Sequence, residues 1–232
     1  SDIHLGSKEP IEDTARIFGG MFDAIQFRGF TQSTVEALAQ WSGVPVYNGL
    51  TDDWHPTQGL ADLLTLEEAC GSLGGKRLAY MGDGRNNVAN SLLACCALMG
   101  VHVSITAPAS LFPSAEVVAW AREAAGKSGA EVLVTSDIEK GLLDADAVYT
   151  DVWVSMGEEA KSAERVKLLT PYRVSLETMK KTGKPESIFL HCLPAVRGNE
   201  VTADVLDGPS SWAWRQAENR KHTIKALMLA TL

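Results

Sequence analysis

Short apolar runs alternate with longer amphipathic stretches along most of this chain. Residues 9–22 place Ile11, Ala15, Ile17 and Phe18 among charges at helical spacing. Ala24-Ile25-Gln26-Phe27 reads as a strand ending at Arg28-Gly29, and a helix over 31–41 follows with Thr31 as its N-cap candidate. Val44-Pro45-Val46-Tyr47 reads as a second short strand, with Pro45 tolerated at its start. The next helix begins near Pro56, a residue favoured in a first turn. Beyond it the pattern predicts strand 77–81, helix 87–99, strand 101–106, helix 114–127, strand 131–134, a short helix over 138–143 and strand 147–150. Ile188-Phe189-Leu190 is a further strand stopping at His191, and a helix over 215–232 closes the chain.

Repeated β-α-β order predicts an α/β fold with parallel sheets covered by helices. The glycine-rich stretch from Gly71 to Lys76 reads as a hinge between two units, residues 1–72 and 73–214. Ligands of such sheets collect at the carboxyl ends of the strands. Arg28, Asp83, Asp151 and His191 all fall at or just after predicted strand ends, which groups them as one candidate site.

Composition narrows the function classes. Apolar residues make up 45% of the 232 and charged residues 22%, ordinary values for a globular chain able to bury a sizeable core. A net charge of −8 argues against a general nucleic-acid surface. It leaves room for an anionic small molecule held by a few local basic groups. Cys70, Cys95, Cys96 and Cys192 show no C-x-x-C spacing, so reduced thiols of a cytoplasmic protein are expected rather than a zinc or redox centre. No stretch approaches the ~20 apolar residues of a membrane span, and Ser1-Asp2-Ile3-His4 does not resemble a signal peptide.

Several short segments carry candidate chemistry. Gly82-Asp83-Gly84-Arg85-Asn86-Asn87 follows a strand and opens a helix, so it reads either as an anion site or as a plain tight turn. The G-x-G-x-x-G spacing fails at Asn87, which argues against a dinucleotide. His55-Pro56-Thr57-Gln58 puts an imidazole just before a helix and an amide one turn in, where both can face one ligand and donate to a carbonyl oxygen. A plain helix-start loop is the alternative. Asp151-Val152-Trp153-Val154-Ser155-Met156-Gly157 offers a carboxylate and a hydroxyl after a strand, suited to a zwitterion. Cys192 stands beside His191, but neighbours leaving a strand point to opposite faces, so a Cys–His nucleophile is not expected. Gln216-Ala217-Glu218-Asn219-Arg220 lies on the last helix.

Taken together and in this order, the His55, Asp151, His191-Cys192-Leu193-Pro194 and Gln216-to-Arg220 segments resemble ornithine carbamoyltransferases of the aspartate/ornithine carbamoyltransferase family. The resemblance runs from about Ile3 to Leu232. It implies two Rossmann-like domains, a carbamoyl phosphate domain of which 1–72 would be an incomplete remainder, and an ornithine domain over 73–214. It implies that Arg28 contacts the carbonyl oxygen and phosphate, that His55 and Gln58 contact the carbamoyl group, and that Arg220 reaches the carbamoyl phosphate. Asn87, Asp151, Ser155 and Met156 would bind the amino-acid head group, with Cys192 and the Leu193 carbonyl beside the reacting δ-amine. His4 and Lys8 would cross to a neighbouring subunit's site in a homotrimer. The implied reaction joins carbamoyl phosphate to L-ornithine, giving L-citrulline and phosphate in arginine metabolism, with no metal or organic cofactor.

Three departures accompany the resemblance. A Ser-Thr-Arg-Thr-Arg phosphate-gripping segment is expected upstream of residue 1, and these 232 residues do not contain it. Gly20 stands where a polar or basic residue is commoner, and Trp212-Ala213-Trp214-Arg215 where an aliphatic pair and an acidic residue are. The residues as they stand are therefore expected to turn over weakly or not at all. A non-catalytic amino-acid-binding protein on the same fold is the second reading.

Overall fold

Two parallel sheets carry the site. In the computed structural model, which describes residues 9–153 and 162–232, β1 (Ile25–Arg28) pairs with β2 (Val46–Leu50). Helices α1 (Ile11–Met21) and α2 (Gln32–Ser42) flank this pair, and α3 (Pro56–Cys70) leaves it. The second sheet contains β3 (Arg77–Met81), β4 (His102–Thr106), β5 (Val132–Thr135), β6 (Ala147–Thr150) and β7 (Ile188–His191). Its order is β5-β4-β3-β6-β7, every neighbour parallel. The α/β reading of the sequence is thus the architecture found.

Side-chain alternation explains why these strands read as unbroken apolar runs. Leu78, Tyr80, Val103, Ile105, Tyr149 and Leu190 enter one core, and Ala79, Met81, Val148 and Phe189 enter another on the opposite face. The first core is closed by α4 (Asn87–Met99) and α5 (Ala115–Ser128). The sheet order reverses between β3 and β6, so a crevice opens there at the carboxyl ends of the strands. Gly82 and Asp83 leave β3 on one side of it and Asp151 leaves β6 on the other.

The last helix, α10 (Ala213–Thr231), lies along α3. Their contact is polar. Gln58, Asp62, Thr65 and Glu68 share one face of α3 by their spacing. They meet Arg220, Gln216, Asn219 and Arg215 of α10 through hydrogen bonds of 2.6–3.0 Å. This register brings Arg220 over the start of α3.

Some expectations shift. The second strand begins at Val46 rather than Val44, because Pro45 stays outside and gives its carbonyl to Ile25 N. Arg28 was expected to end a buried strand, yet only Ile25 of β1 is buried and Arg28 is exposed. Thr31 occupies the N-cap of α2 without a side-chain bond. Helices α6 (Ile138–Leu142), α7 (Ser162–Leu169), α8 (Leu176–Lys180) and α9 (Ala203–Leu206) complete the chain, the last three unread from the sequence. Among the described residues no helix is long and apolar enough to cross a membrane.

The turn after β3 is tight for a definable reason. Gly82 has φ +144°, and a Cβ on Gly84 would lie 2.8 Å from both Ile105 Cγ2 and the Leu111 carbonyl oxygen. Gly84→Ala is therefore expected to destabilise the protein by ~1–3 kcal/mol through overpacking, read as a lowered urea midpoint. An unchanged midpoint would mean that the turn gives way.

Candidate active site

His55 precedes Pro56 at the start of α3, and Gln58 follows one turn later. His55 is 5% exposed and Gln58 1%. The His55 backbone N–H donates to Ser91 Oγ at 2.7 Å, tying the turn to α4. Arg220 reaches down from α10, donating from Nη1 to Gln58 Oε1 at 2.8 Å and lying 3.4 Å from His55 Nε2. The three expected residues therefore form one cluster. Burial first, then the Arg220 and Arg28 charges, lower the His55 pKa to about 3. Its imidazole is neutral at any working pH. An arginine can only donate, so Nε2 carries the lone pair and the ring proton sits on Nδ1, which has no partner among the described residues. Among the described residues Arg28 makes no ion pair there, but its charge is felt at both His55 and Arg220.

Gln58 corrects one expectation. Its amide nitrogen donates to Asp62 Oδ1 at 2.7 Å. Its Oε1 therefore lies on the Arg220 side, as an acceptor. Helix α3 places Asp62 one turn on, fully buried, and burial raises its carboxyl to about 7.

A second cluster forms at the ends of β6 and β7. Asp151 Oδ1 accepts from Cys192 Sγ at 3.0 Å and from Val152 N at 2.8 Å, while Oδ2 accepts from Asn86 Nδ2 at 3.2 Å. Burial raises the Asp151 pKa, against the lowering by His191 and by the bonds from Cys192 and Val152. A buried carboxylate surrounded by neutral donors favours a cation beside it. Burial and then the Asp151 charge push the Cys192 thiol well up, so it is no thiolate nucleophile. The opposite-faces expectation for His191 and Cys192 does not hold. The pleat ends at His191, and donor atoms of Asp151, His191 and Cys192 lie within 4.8 Å of one another. They leave no imidazole lone pair for a metal, because His191 Nδ1 accepts from Leu193 N at 2.8 Å and Nε2 faces Glu200 at 3.4 Å. His191 thereby shapes the turn in which Leu193 takes φ +58°, a costly conformation for a branched residue and one often kept at functional sites.

Asn87 and Asp83 each have protein partners. Asn87, on the first turn of α4, gives its amide to Thr51 O at 2.6 Å, linking this helix to the segment after β2. Asn86, its neighbour, is the residue that caps α4 and touches Asp151. Asp83 is taken up by Arg85 at 3.0 Å and by buried Arg165. Ser155 and Met156, with His4 and Lys8, lie outside the described residues. Trp212 packs against the main core, while Trp214 is exposed.

Comparison with known proteins fits this geometry. Residues 74–231 match the aspartate/ornithine-binding domain model of aspartate/ornithine carbamoyltransferases, and residues 1–68 match the carbamoyl phosphate-binding domain model of the same proteins. The chain belongs to the aspartate/ornithine carbamoyltransferase family. It is 60% identical to the ornithine carbamoyltransferase of Caldanaerobacter subterraneus subsp. tengcongensis and 56% identical to that of Thermotoga maritima. Both alignments cover 100% of this chain and 74% of the relative. Among solved structures, the ornithine carbamoyltransferase of Pyrococcus furiosus matches with a TM-score of 0.94 at 44% identity, covering 100% of this chain and 73% of that one. The anabolic enzyme of Campylobacter jejuni matches with 0.92 at 35%, covering 99% and 76%. Both family domains thus contribute to the site: α3 supplies His55 and Gln58, and the ends of β6 and β7 supply Asp151 and Cys192.

Asp62, Gln216 and Asn86 were not singled out as site residues by the sequence reading. The signal was present for Asp62, a carboxylate inside the apolar run Leu60-Ala61-Asp62-Leu63-Leu64 and one helical turn after Gln58.

Proposed function

We propose that this protein transfers the carbamoyl group of carbamoyl phosphate to the δ-amine of L-ornithine, giving L-citrulline and phosphate. The observation that carries this is the pairing of a cationic cluster, Arg220 with His55 and Gln58, with a buried anionic one, Asp151 with Cys192. The first suits the anionic acyl donor and the second a diamino acid. His55 is neutral and lies beside the carbonyl oxygen as that oxygen gains charge, with Arg28 and Arg220 adding positive field. Gln58 Oε1 accepts from the carbamoyl NH2. Asp151 takes the α-ammonium, with Asn87, Ser155 and Met156 completing the head-group site. The δ-amine lies beside Cys192 and the Leu193 carbonyl. An alkyl ammonium has a pKa near ~10.4 in water, and the desolvation that lifts Cys192 favours its neutral form. Holding both substrates together supplies much of the remaining acceleration.

The assembly that fits this reading is a homotrimer or a multiple of it, in the cytoplasm, with His4 and Lys8 reaching a neighbouring site. Residues 1–72 with α10 would grip carbamoyl phosphate and 73–214 ornithine, hinged at Gly71 to Lys76. Light scattering that reports a monomer at high concentration would remove the shared site.

Calorimetry with L-ornithine and its non-reacting analogue norvaline tests the substrate assignment. Asp151→Ala is expected to weaken binding by about 2–5 kcal/mol, the usual cost of truncating one partner of a buried charge pair. Unchanged affinity would remove ornithine as the substrate.

A further inference from the structure

The link between the two clusters runs through one carboxylate oxygen. Asp62 Oδ1 accepts from Gln58 Nε2 at 2.7 Å and from Gln216 Nε2 at 2.6 Å. The Tyr149 hydroxyl adds a third, longer bond at 3.4 Å. Each glutamine is held at its other end by a group that can only donate. Gln58 Oε1 accepts from the Arg220 guanidinium at 2.8 Å, and Gln216 Oε1 accepts from the His191 backbone N–H at 2.8 Å. Donor-only neighbours at both carbonyls and an acceptor at both nitrogens allow one amide orientation apiece. Asp62, Gln58 and Gln216 are 0%, 1% and 0% exposed, so their amides are held by protein partners. A continuous chain of bonds therefore joins Arg220, Gln58, Asp62, Gln216 and the first residue of the His191-to-Leu193 turn.

We propose that Asp62 is a positioning residue whose Oδ1 fixes both glutamine amides, so that Gln58 shows the acyl phosphate an acceptor and Gln216 holds the turn beside the amine site. The inference rests on the carbamoyl-transfer reading and adds a source of donor selectivity to it. An acceptor at Gln58 rewards the NH2 of carbamoyl phosphate and leaves the methyl of acetyl phosphate unrewarded. Without Asp62 only Arg220 holds Gln58, and its amide nitrogen is buried with no acceptor. Turning that nitrogen toward the acyl carbonyl relieves the cost, and both acyl phosphates carry a carbonyl. Asp62 Oδ2 has no partner among the described residues, and burial raises the carboxyl to about 7. When the carboxyl is protonated, a proton on Oδ2 leaves Oδ1 to accept. Asparagine reproduces that arrangement, with its NH2 in place of the protonated oxygen.

Binding of carbamoyl phosphate, acetyl phosphate and inorganic phosphate to the full chain, measured by calorimetry in the cold, tests this. The unaltered protein is expected to prefer carbamoyl over acetyl phosphate at least about tenfold. Asp62→Ala should bring the two within about threefold while phosphate affinity holds, and Asp62→Asn should restore the preference. Asp62→Leu fills the space without an acceptor and replaces the alanine variant if that one does not fold. A full preference in the alanine or leucine variant, or its loss in the asparagine variant, overturns the role of Asp62. No preference in the unaltered protein also overturns it, and leaves the transfer reading standing. Failure of the unaltered protein to bind either acyl phosphate, with norvaline unbound as well, sinks the transfer reading itself.

Discussion

In a chain that also carries the upstream Ser-Thr-Arg-Thr-Arg segment, replacing Arg220 by alanine is expected to lower citrulline formation by ~10²–10³, the usual effect of removing one preorganised donor from a site where charge develops. Arg220 is the only described side chain that touches both carbamoyl-facing groups, donating to Gln58 Oε1 and approaching His55 Nε2. Its loss leaves Gln58 held at one end and removes positive charge from the phosphate side. It also acts on His55, whose pKa is lowered first by burial and next by the Arg220 charge. The His55 pKa should therefore rise in the variant, and the ring resonances should titrate at higher pH. Arg215 provides the control, since it lies on the same helix but pairs with Glu68 and Glu218 at the exposed edge. Such pairs contribute ~0–1 kcal/mol, so Arg215→Ala should leave turnover and the His55 titration near the unaltered values. Equal turnover in the two variants, with no change at His55, would place Arg220 outside the chemistry.

How much of this was legible in the sequence follows from what each signal depends on. The sheet strands were legible because both faces are buried, which gives Leu78 to Met81 and Ile188 to Leu190 unbroken apolar runs. Helix α3 was legible from Pro56, and the register of His55 and Gln58 came with it. The direction of the Gln58 amide was not legible, because a partner four residues on and another on α10 decide it. Asp62 itself reads as an anomaly in an apolar helix, but its meaning needs Gln216, 154 residues away in sequence. Arg28 was misjudged for a related reason. β1 belongs to a two-stranded sheet whose face is open, so a strand position did not imply burial. Which of Asn86 and Asn87 touches Asp151 is a matter of capping geometry. The cap residue points back across the crevice to Asp151, and the first-turn residue points to Thr51.

Asp62 and His55 should also set how stability responds to pH, in opposite senses. His55 has an ordinary value of 6.5 and a folded value of about 3. Below 6.5 the unfolded chain takes a proton that the folded one refuses. Its contribution is complete above that pH and is lost as pH falls toward the folded value. Asp62 has an ordinary value of 3.8 and a folded value of about 7. Between these the folded chain keeps a proton that the unfolded one has released. Its contribution is complete below 3.8 and is lost as pH rises through about 7. Each group alone gives a slope of about 1.4 kcal/mol per pH unit. The slopes have opposite sign, so the pair nearly cancels between the two ordinary values, 3.8 and 6.5. Asp62→Asn removes one side of the balance, and that variant should lose stability on acidification through the window where the unaltered protein changes little. His55→Gln removes the other, and should lose stability as pH rises through the same window. The double variant should return to the flat profile. Urea unfolding at closely spaced pH values measures all four, and the differences between curves cancel the surface carboxylates common to them. A difference of about 4 kcal/mol should accumulate across the window in each single variant. Parallel curves for Asp62→Asn and the unaltered protein would mean that Asp62 is charged in the folded state, with its Oδ2 bound to a partner that satisfies it.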